Sequence, residues 1–497
     1  MGTANAPWWT LVLPDETRTA VIDANGTHPY GDLVQSSRRV AQTLLNGRSD
    51  LAGERVAYMV RPSHSHVSVQ WGIWLSGGVA VPLCLTHPAD ELEYVLDDAE
   101  PSVVVCESVF ADSLKPLVAA RGRRWIDLDD ASESTDGDLP TIAPERPALM
   151  IYTSGTTGRP KGVITTHGCI GAQIASLVEA WQWSPSDRTV LDLPLHHLHG
   201  VLNIVSCALA SGATVEMHER FDAQTTWDRL ASGEVTVYMA VPTIYRRLIS
   251  FWESCAAAEQ ARLCKGASEL RLMVSGSAAL PIATIDRWRE ITGHILLERY
   301  GMSEIGMALS NPLDGERRAG SVGFALPGVE VRLIDEDGKE VGEGQPGEIQ
   351  VRGETVFLEY WRRPDATRES FTDDGWFRTG DIATRVDARY RILGRSSVDI
   401  LKSGGEKISA LDIENVLLDH EDVDECAVIG LDDPEWGQRI VAAIVSPAPP
   451  TEAELRDWCR SKLAPFKIPK SIVAVEALPR NAMGKVVKAS VVELFDS

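Results

Sequence analysis

Residues 152–162 read YTSGTTGRPKG. Four Ser and Thr hydroxyls, three glycines and one lysine fall in eleven positions, directly after the apolar run ALMIYT. Small residues let backbone N–H groups approach an anion closely, hydroxyls add donors and lysine adds charge. The chemistry that suits such a loop is polyphosphate binding. It is not a G-x-x-x-x-G-K-[ST] loop, because Pro160 precedes Lys161 and Gly162 follows it. Two more polar clusters follow apolar runs: SGSAAL (275–280) after LRLMV, and RYGMSE (299–304) after HILLE.

These clusters need a scaffold that brings strand ends together. β-rich runs recur as RVAYMV, VAVPL, SVVVCE, ALMIYT, TVLDLPL, TVEMHE, VTVYMA, LRLMVSG and HILLERYG. Helical patterns such as HSHVSVQWGIWLSGG and PTIYRRLISFWESC lie between several of them. The alternation predicts an α/β fold with layered, largely parallel sheets, whose ligands bind outside the carboxyl ends of the strands. Three clusters at strand ends can then share one crevice. From about 320 to 394 short strands and Gly turns predict a β-rich subdomain. After it comes a small α+β domain holding seven of the eleven lysines, with capping boxes expected at Ser409/Asp412 and Thr451/Glu454. The expected division is 1–394 and 395–497.

In chain order, YTSGTTGRPKG, LPLHHLHG (193–200), RYGMSE, WFRTGD (376–381), ILGRSSVDILKSGGEKIS (392–409) and PRNAMGKVVK (479–488) resemble the motifs of the adenylate-forming superfamily of acyl-CoA synthetases, luciferases and peptide-synthetase adenylation domains. The resemblance covers nearly the whole chain. It implies that Thr153, Ser154, Gly155, Thr156, Thr157, Gly158 and Lys161 cradle the phosphates of ATP. Ser277, Tyr300, Gly301 and Ser303 would line the nucleotide site, Glu304 would hold Mg²⁺, and Asp381 and Arg395 would contact the ribose. Lys485 would reach the carboxylate and α-phosphate, making Lys485, Thr153 and Glu304 the catalytic set. The acid would be activated as an acyl-adenylate and passed to the thiol of coenzyme A. The small domain would rotate between the two steps about Ser397, with Ser403, Gly404 and Gly405 lining a pantetheine tunnel. Relatives carry other residues at the positions of Ser303, Ser397 and Glu406, and Glu406 has no assigned role.

The acyl pocket resembles that of the malonyl-CoA synthetase branch. ERYGMSEIGMALSNP places Arg299 before YGM, and Arg247 ends PTIYRR. By the resemblance, Arg247, Arg299, Ser277 and His199 would hold the far carboxylate of malonate, or of methylmalonate. Arginine gives bidentate donors to a carboxylate, and an aliphatic acyl chain would leave both arginines buried and unpaired. A ligase for another short acid, or a stand-alone adenylation enzyme that loads a carrier protein, remains an alternative. A catalytically silent nucleotide-binding protein fits less well, since Lys161, Glu304, Asp381, Arg395 and Lys485 are all in place.

The composition sets bounds. At 497 residues the chain exceeds one ordinary hydrophobic core, and 44% apolar with 24% charged residues is the make-up of a soluble globular protein. A net charge of −23 argues against nucleic acid or an anionic membrane as partner, leaving small-molecule substrates. Any phosphate site must be locally positive against that field. Eight scattered cysteines without a C-x-x-C pair argue for reduced thiols, and the absence of a basic, then apolar, leader predicts a cytoplasmic enzyme. Monomer and homodimer are both open.

Overall fold

The computed structural model describes residues 15–130, 137–153, 159–480 and 486–495. Two large sheets carry the N-terminal part. The first has nine strands in the order Phe324–Ala325, Gly306–Ser310, Leu297–Met302, Leu272–Ser275, Val237–Ala240, Arg188–Leu191, Thr214–Met217, Thr19–Asp23 and Gly26–Pro29. Its six central strands, Leu297–Met302 through Thr19–Asp23, pair in parallel. The second has seven strands, Glu359–Tyr360, Lys161–Thr166, Pro147–Thr153, Val79–Pro82, Arg55–Met59, Val103–Cys106 and Arg124–Asp127, parallel from Pro147–Thr153 onward. Strands buried on both faces must be near-continuously apolar, and VYMA, LMVS, VAVP and VVVC are fully buried.

The order matters for the site. Arg188–Leu191, Val237–Ala240, Leu272–Ser275 and Leu297–Met302 are consecutive neighbours. Their carboxyl ends therefore bring together the segments that carry His199, Arg247, Ser277 and Arg299. After Arg188–Leu191 the chain turns into a π-helical run, His199–Ser206, which continues as the α-helix Cys207–Ala210. In the other sheet Pro147–Thr153 and Lys161–Thr166 form an antiparallel hairpin with Thr153 opposite Lys161. The glycine-hydroxyl stretch is the connection of that hairpin, and its residues 154–158 lie outside the described set.

The β-rich region is an antiparallel four-stranded sheet, Val329–Ile334, Gly347–Gly353, Phe377–Val386 and Arg389–Arg395. The last part of the chain builds a five-stranded sheet from Glu406–Ser409, Ile400–Ser403, Gly437–Val445, Glu425–Asp433 and Ser471–Ala474, packed with the helices Ala410–Leu418 and Glu452–Lys462. One apolar cluster joins both large sheets and the β-rich sheet, from Ala20 to Tyr390. The clusters of the last sheet draw only on residues from Leu401 onward. Thr451 and Glu454 make a complete capping box. At Ser409 only the forward half forms: its Oγ accepts from the N–H of Asp412. The Asp412 carboxylate is drawn off to Arg391 (2.6 Å) and Lys467 (3.0 Å), so the expected reciprocal bond is lost.

Helix His64–Leu75 crosses helix Tyr30–Leu45 at Gly72, where an added Cβ would lie 2.6 Å from Cβ and Cγ1 of Val40. Gly72→Ala should therefore lower stability by about 1–3 kcal/mol, the usual effect of overpacking a core. Gly342→Ala, whose nearest neighbour would be 3.7 Å away, should not. Urea unfolding midpoints of the two variants check this.

Candidate active site

Arg299 lies inside the protein at the end of strand Leu297–Met302, with 4% of its surface exposed. Room for its guanidinium exists because residue 276 is glycine: a Cβ there would sit 2.5 Å from Arg299 Cζ. Its Nη2 donates to Ser277 Oγ (3.3 Å), and Ser277 Oγ also meets His199 Nδ1 (3.2 Å). Ser277 takes this place in a left-handed backbone conformation, φ 70°, which costs a side-chain-bearing residue about 1–3 kcal/mol. Arg299 Nε and His199 Nε2 are buried with no hydrogen-bond partner, and among the described residues Arg299 forms no ion pair. Burial pushes the guanidinium down to about 9, so it stays charged at neutral pH. Burial, then the charge of Arg299 and His197, holds His199 well below its ordinary range, so its imidazole is neutral. The result is a buried cation without a counter-ion, flanked by a hydroxyl and an imidazole. Such a group is costly to retain empty and is matched by an anion of small size.

Arg247 does not join this cluster. It is exposed on helix Pro242–Ser254, with its guanidinium 4.7 Å above the ring of Phe221. The expectation that both arginines are buried holds for Arg299 alone. The reason is helical phase: Ile244, Tyr245, Leu248 and Ile249 take the buried face, which leaves 247 outward. His196 and His197 are half-buried, their ring centroids 4.1 Å apart.

A second group of side chains faces the hairpin. Glu304 is buried and accepts the hydroxyl of Tyr360 (2.8 Å). Burial raises its carboxyl, partly offset by Tyr360, Arg395 and Lys161. Lys161 Nζ stands 4.8 Å from the Tyr360 ring centroid, so Tyr360 links the loop lysine to the carboxylate. Motif reasoning missed Tyr360, because LEYWRRP carries no signal beyond an aromatic on a two-residue edge strand. Asp381 is opposite Arg395 in the hairpin Phe377–Val386/Arg389–Arg395. Arg395 Nε donates to its Oδ1 (3.1 Å) and Tyr300 Oη to its Oδ2 (2.6 Å). Burial pushes the Asp381 carboxyl up, and the Arg395 guanidinium pulls it back. Gly301 is required by close approach, since a Cβ would lie 2.1 Å from the carbonyl of Gly306. Ser303 is half-buried beside Glu304.

Ser397 is exposed on the connection between Arg389–Arg395 and Ile400–Ser403. Ser403 is buried, and Gly404 and Gly405 turn the chain with φ 60° and 83°. A Cβ at 404 would lie 3.2 Å from Trp436, whose carbonyl accepts the Gly404 N–H. Trp436 is partly exposed beneath Lys470 (4.7 Å), an aromatic-cation pair that motif reading also missed. Glu406 is exposed and nothing in the structure explains it. Lys485 lies outside the described residues.

A hairpin carrying Thr153 and Lys161, a buried carboxylate beside it and an acid–arginine pair on a separate hairpin are the groups that the motifs single out. The comparisons place them: the chain belongs to the AMP-binding enzyme family, which matches residues 13–361, and the AMP-binding enzyme C-terminal domain matches 412–485. It is 44% identical to a mitochondrial malonate–CoA ligase of Mus musculus, over 97% of this chain and 90% of that protein. It superposes on the ATP-bound MatB of Rhodopseudomonas palustris with a TM-score of 0.90, at 34% identity and 99% coverage of both chains. A malonyl-CoA ligase solved as a ternary product complex with methylmalonyl-CoA and AMP gives 0.70 at 37% identity, over 96% of this chain and 99% of that one.

Glu298, the neighbour of Arg299, points to the opposite side of the strand. It is buried with the N–H of Gly320 (2.9 Å) as its partner, and burial pushes its carboxyl up to about 8. The folded protein thus keeps a proton that the unfolded chain releases near 4.5. Its contribution to stability is fully present below that pH and declines by about 1.4 kcal/mol per unit until about pH 8. Glu298→Gln should remove this slope and be the more stable protein at pH 9. Urea unfolding from pH 5 to 9 checks it, and an unchanged slope contradicts it.

Proposed function

We propose that this enzyme is an AMP-forming malonate–CoA ligase. The observation that carries the substrate is Arg299: a buried guanidinium with an unpartnered Nε, next to Ser277 and the neutral His199. A carboxylate is the ligand that satisfies fixed, planar donors best. Malonate offers one carboxylate to the chemistry and a second, two bonds away, to Arg299. Arg247 stands at the exposed rim, suited to attracting the dianion.

Carboxylates are poor acyl donors because oxide is a poor leaving group. One oxygen of the acid attacks the α-phosphorus of ATP, the bond to pyrophosphate breaks, and malonyl-adenylate forms. The thiolate of coenzyme A then attacks the acyl carbon and AMP leaves with the bonding electron pair. No protein nucleophile is consumed. The donors of residues 153–161 cradle the phosphates as charge builds on them, and Lys485 neutralises the same charge. Tyr300, Asp381 and Arg395 hold the ribose. Glu304 fits a Mg²⁺ ion: it is a buried carboxylate that accepts the Tyr360 hydroxyl and stands within reach of the charges of Arg395 and Lys161. Mg²⁺ usually takes several of its ligands from phosphate and water, so one protein carboxylate can serve it. When bound, that ion screens the phosphate charge; Glu304 orients it.

The two chemical steps call for two arrangements, with residues 1–394 and 395–497 as the moving parts and Ser397 as the pivot. Two observations support this. Among the described residues the apolar cores do not share side chains across residue 395. Superposition is poorer on the product complex than on the ATP-bound enzyme, although identity to the former is greater. The Gly404–Gly405 turn would admit the pantetheine arm. Among the described residues no helix is long and apolar enough to cross a membrane, and all eight cysteines are free. Both suit a reducing, aqueous compartment such as the cytoplasm.

ATP–pyrophosphate exchange should proceed with malonate or methylmalonate and fail with acetate, propionate and decanoate. Arg299→Ala should lower kcat/KM for malonate by an amount worth about 2–5 kcal/mol, with KM for ATP retained. Robust exchange with decanoate and none with malonate would sink the reading.

A further inference from the structure

Lys488 is nearly enclosed between two carboxylates. Its Nζ lies 2.6 Å from Asp399 Oδ1 and 2.7 Å from Glu414 Oε1, and the three side chains are only 12–17% exposed. Glu414, on helix Ala410–Leu418, also accepts the N–H of Val428 on the central hairpin of the C-terminal sheet. This end of the chain of contacts is therefore anchored within the C-terminal body. The other end is not. Asp399 Oδ2 accepts the backbone N–H of Arg395 (3.0 Å), on the far side of Ser397. Residue 394 is glycine with φ 127°, and a Cβ there would meet Asp399 Cβ at 2.4 Å, so the sequence leaves a slot for this carboxylate. Arg395 in turn holds Asp381, which holds Tyr300.

Among the described residues the other contacts across residues 395–399 include ion pairs and a few backbone-directed bonds. Lys407–Glu336 and Arg246–Asp424 are open to solvent, and exposed pairs of this kind contribute little. In Arg391–Asp412 the arginine is exposed, but Asp412 is half-buried and also meets Lys467. Ser409 Oγ donates to Leu393 O, and Ala410 N–H donates to Asp399 O. Asp399 is thus a carboxylate tied to the C-terminal body by an enclosed ion pair and to the nucleotide-side hairpin by a hydrogen bond to backbone; Asp412, held by Lys467 and Arg391, makes a second such tie through a more exposed arginine. On rotation about 396–398 the Lys488–Asp399 pair would travel as a unit, and the Arg395 N–H bond would be among those to break.

We propose that Lys488 is a positioning residue: by holding Asp399 against Arg395 it favours the arrangement that superposes on the ATP-bound relative, and so favours adenylate formation over thioester formation. The proposal rests on the two-step reading above. Without the ammonium, Asp399 is repelled by Glu414 and loses its fixed orientation. The population of the ATP-side arrangement falls, while the thiol-side arrangement makes no use of the bond.

The test separates the half-reactions in the full-length enzyme. Lys488→Met should slow ATP–pyrophosphate exchange with malonate by roughly tenfold to a hundredfold in kcat, with KM for ATP and malonate little changed. Thioester formation from synthetic malonyl-adenylate and CoA should be unchanged or faster. Lys488→Arg should restore exchange, and Asp399→Asn should reproduce the defect. Because Lys488→Met leaves two carboxylates facing each other, Lys488→Met/Glu414→Gln serves if the single variant does not fold. Equal loss in both half-reactions with a lowered Tm, or no loss in either, overturns the proposal. Absence of exchange with malonate in the unaltered enzyme would instead overturn the function on which it rests.

Discussion

The arrangement turns on one unpaired charge. Arg299 is the buried guanidinium that has no ion pair among the described residues, in a protein whose net charge is −23. With so many carboxylates available, leaving this one cation unmatched reflects the local architecture. Gly276 makes its slot, Ser277 accepts backbone strain to stand beside it, and His199 is kept neutral next to it. A buried charge left alone costs several kcal/mol, and that cost is recovered when an anion arrives. On the proposed reading, selectivity follows from the same physics. An acid without a second carboxylate would leave the guanidinium desolvated and unsatisfied, which is a stronger bar than any steric mismatch of similar size.

The scaffold explains why these groups meet. Four consecutive parallel strands end at one rim, and each delivers a segment of different chemistry: the His199 run, the Arg247 helix, the Ser277 turn and Arg299 itself. The second sheet contributes the hairpin of Thr153 and Lys161, and its edge strand contributes Tyr360 to Glu304. Among the described residues the C-terminal body has apolar clusters of its own, which on the proposed reading would let it move without disturbing the main core.

Much of this was legible beforehand, and the exceptions have physical causes. Strands buried on both faces are continuous apolar runs, so LRLMV and VTVYMA announce themselves without any tertiary knowledge. The motif residues could be named beforehand because their chemistry is compressed into short stretches. Arg247 was misjudged because adjacency in PTIYRR says nothing of helical phase until the buried face is known. Asp412 was expected to complete a local cap, but two basic side chains from distant segments outcompete it. Tyr360, Trp436 and the Lys488–Asp399–Glu414 chain are contacts between residues tens of positions apart, each ordinary in its own local sequence.

Calorimetric binding of two stable sulfamoyl analogues tests the central claim directly: one mimicking malonyl-adenylate, the other propionyl-adenylate. They differ mainly in the second carboxylate. If Arg299 awaits that group, the malonyl analogue binds about a hundredfold more tightly or better, the scale of one to two charge-assisted hydrogen bonds in a desolvated site. Equal affinity for the two would mean that the guanidinium serves the protein's own structure, and the substrate assignment would fall with it.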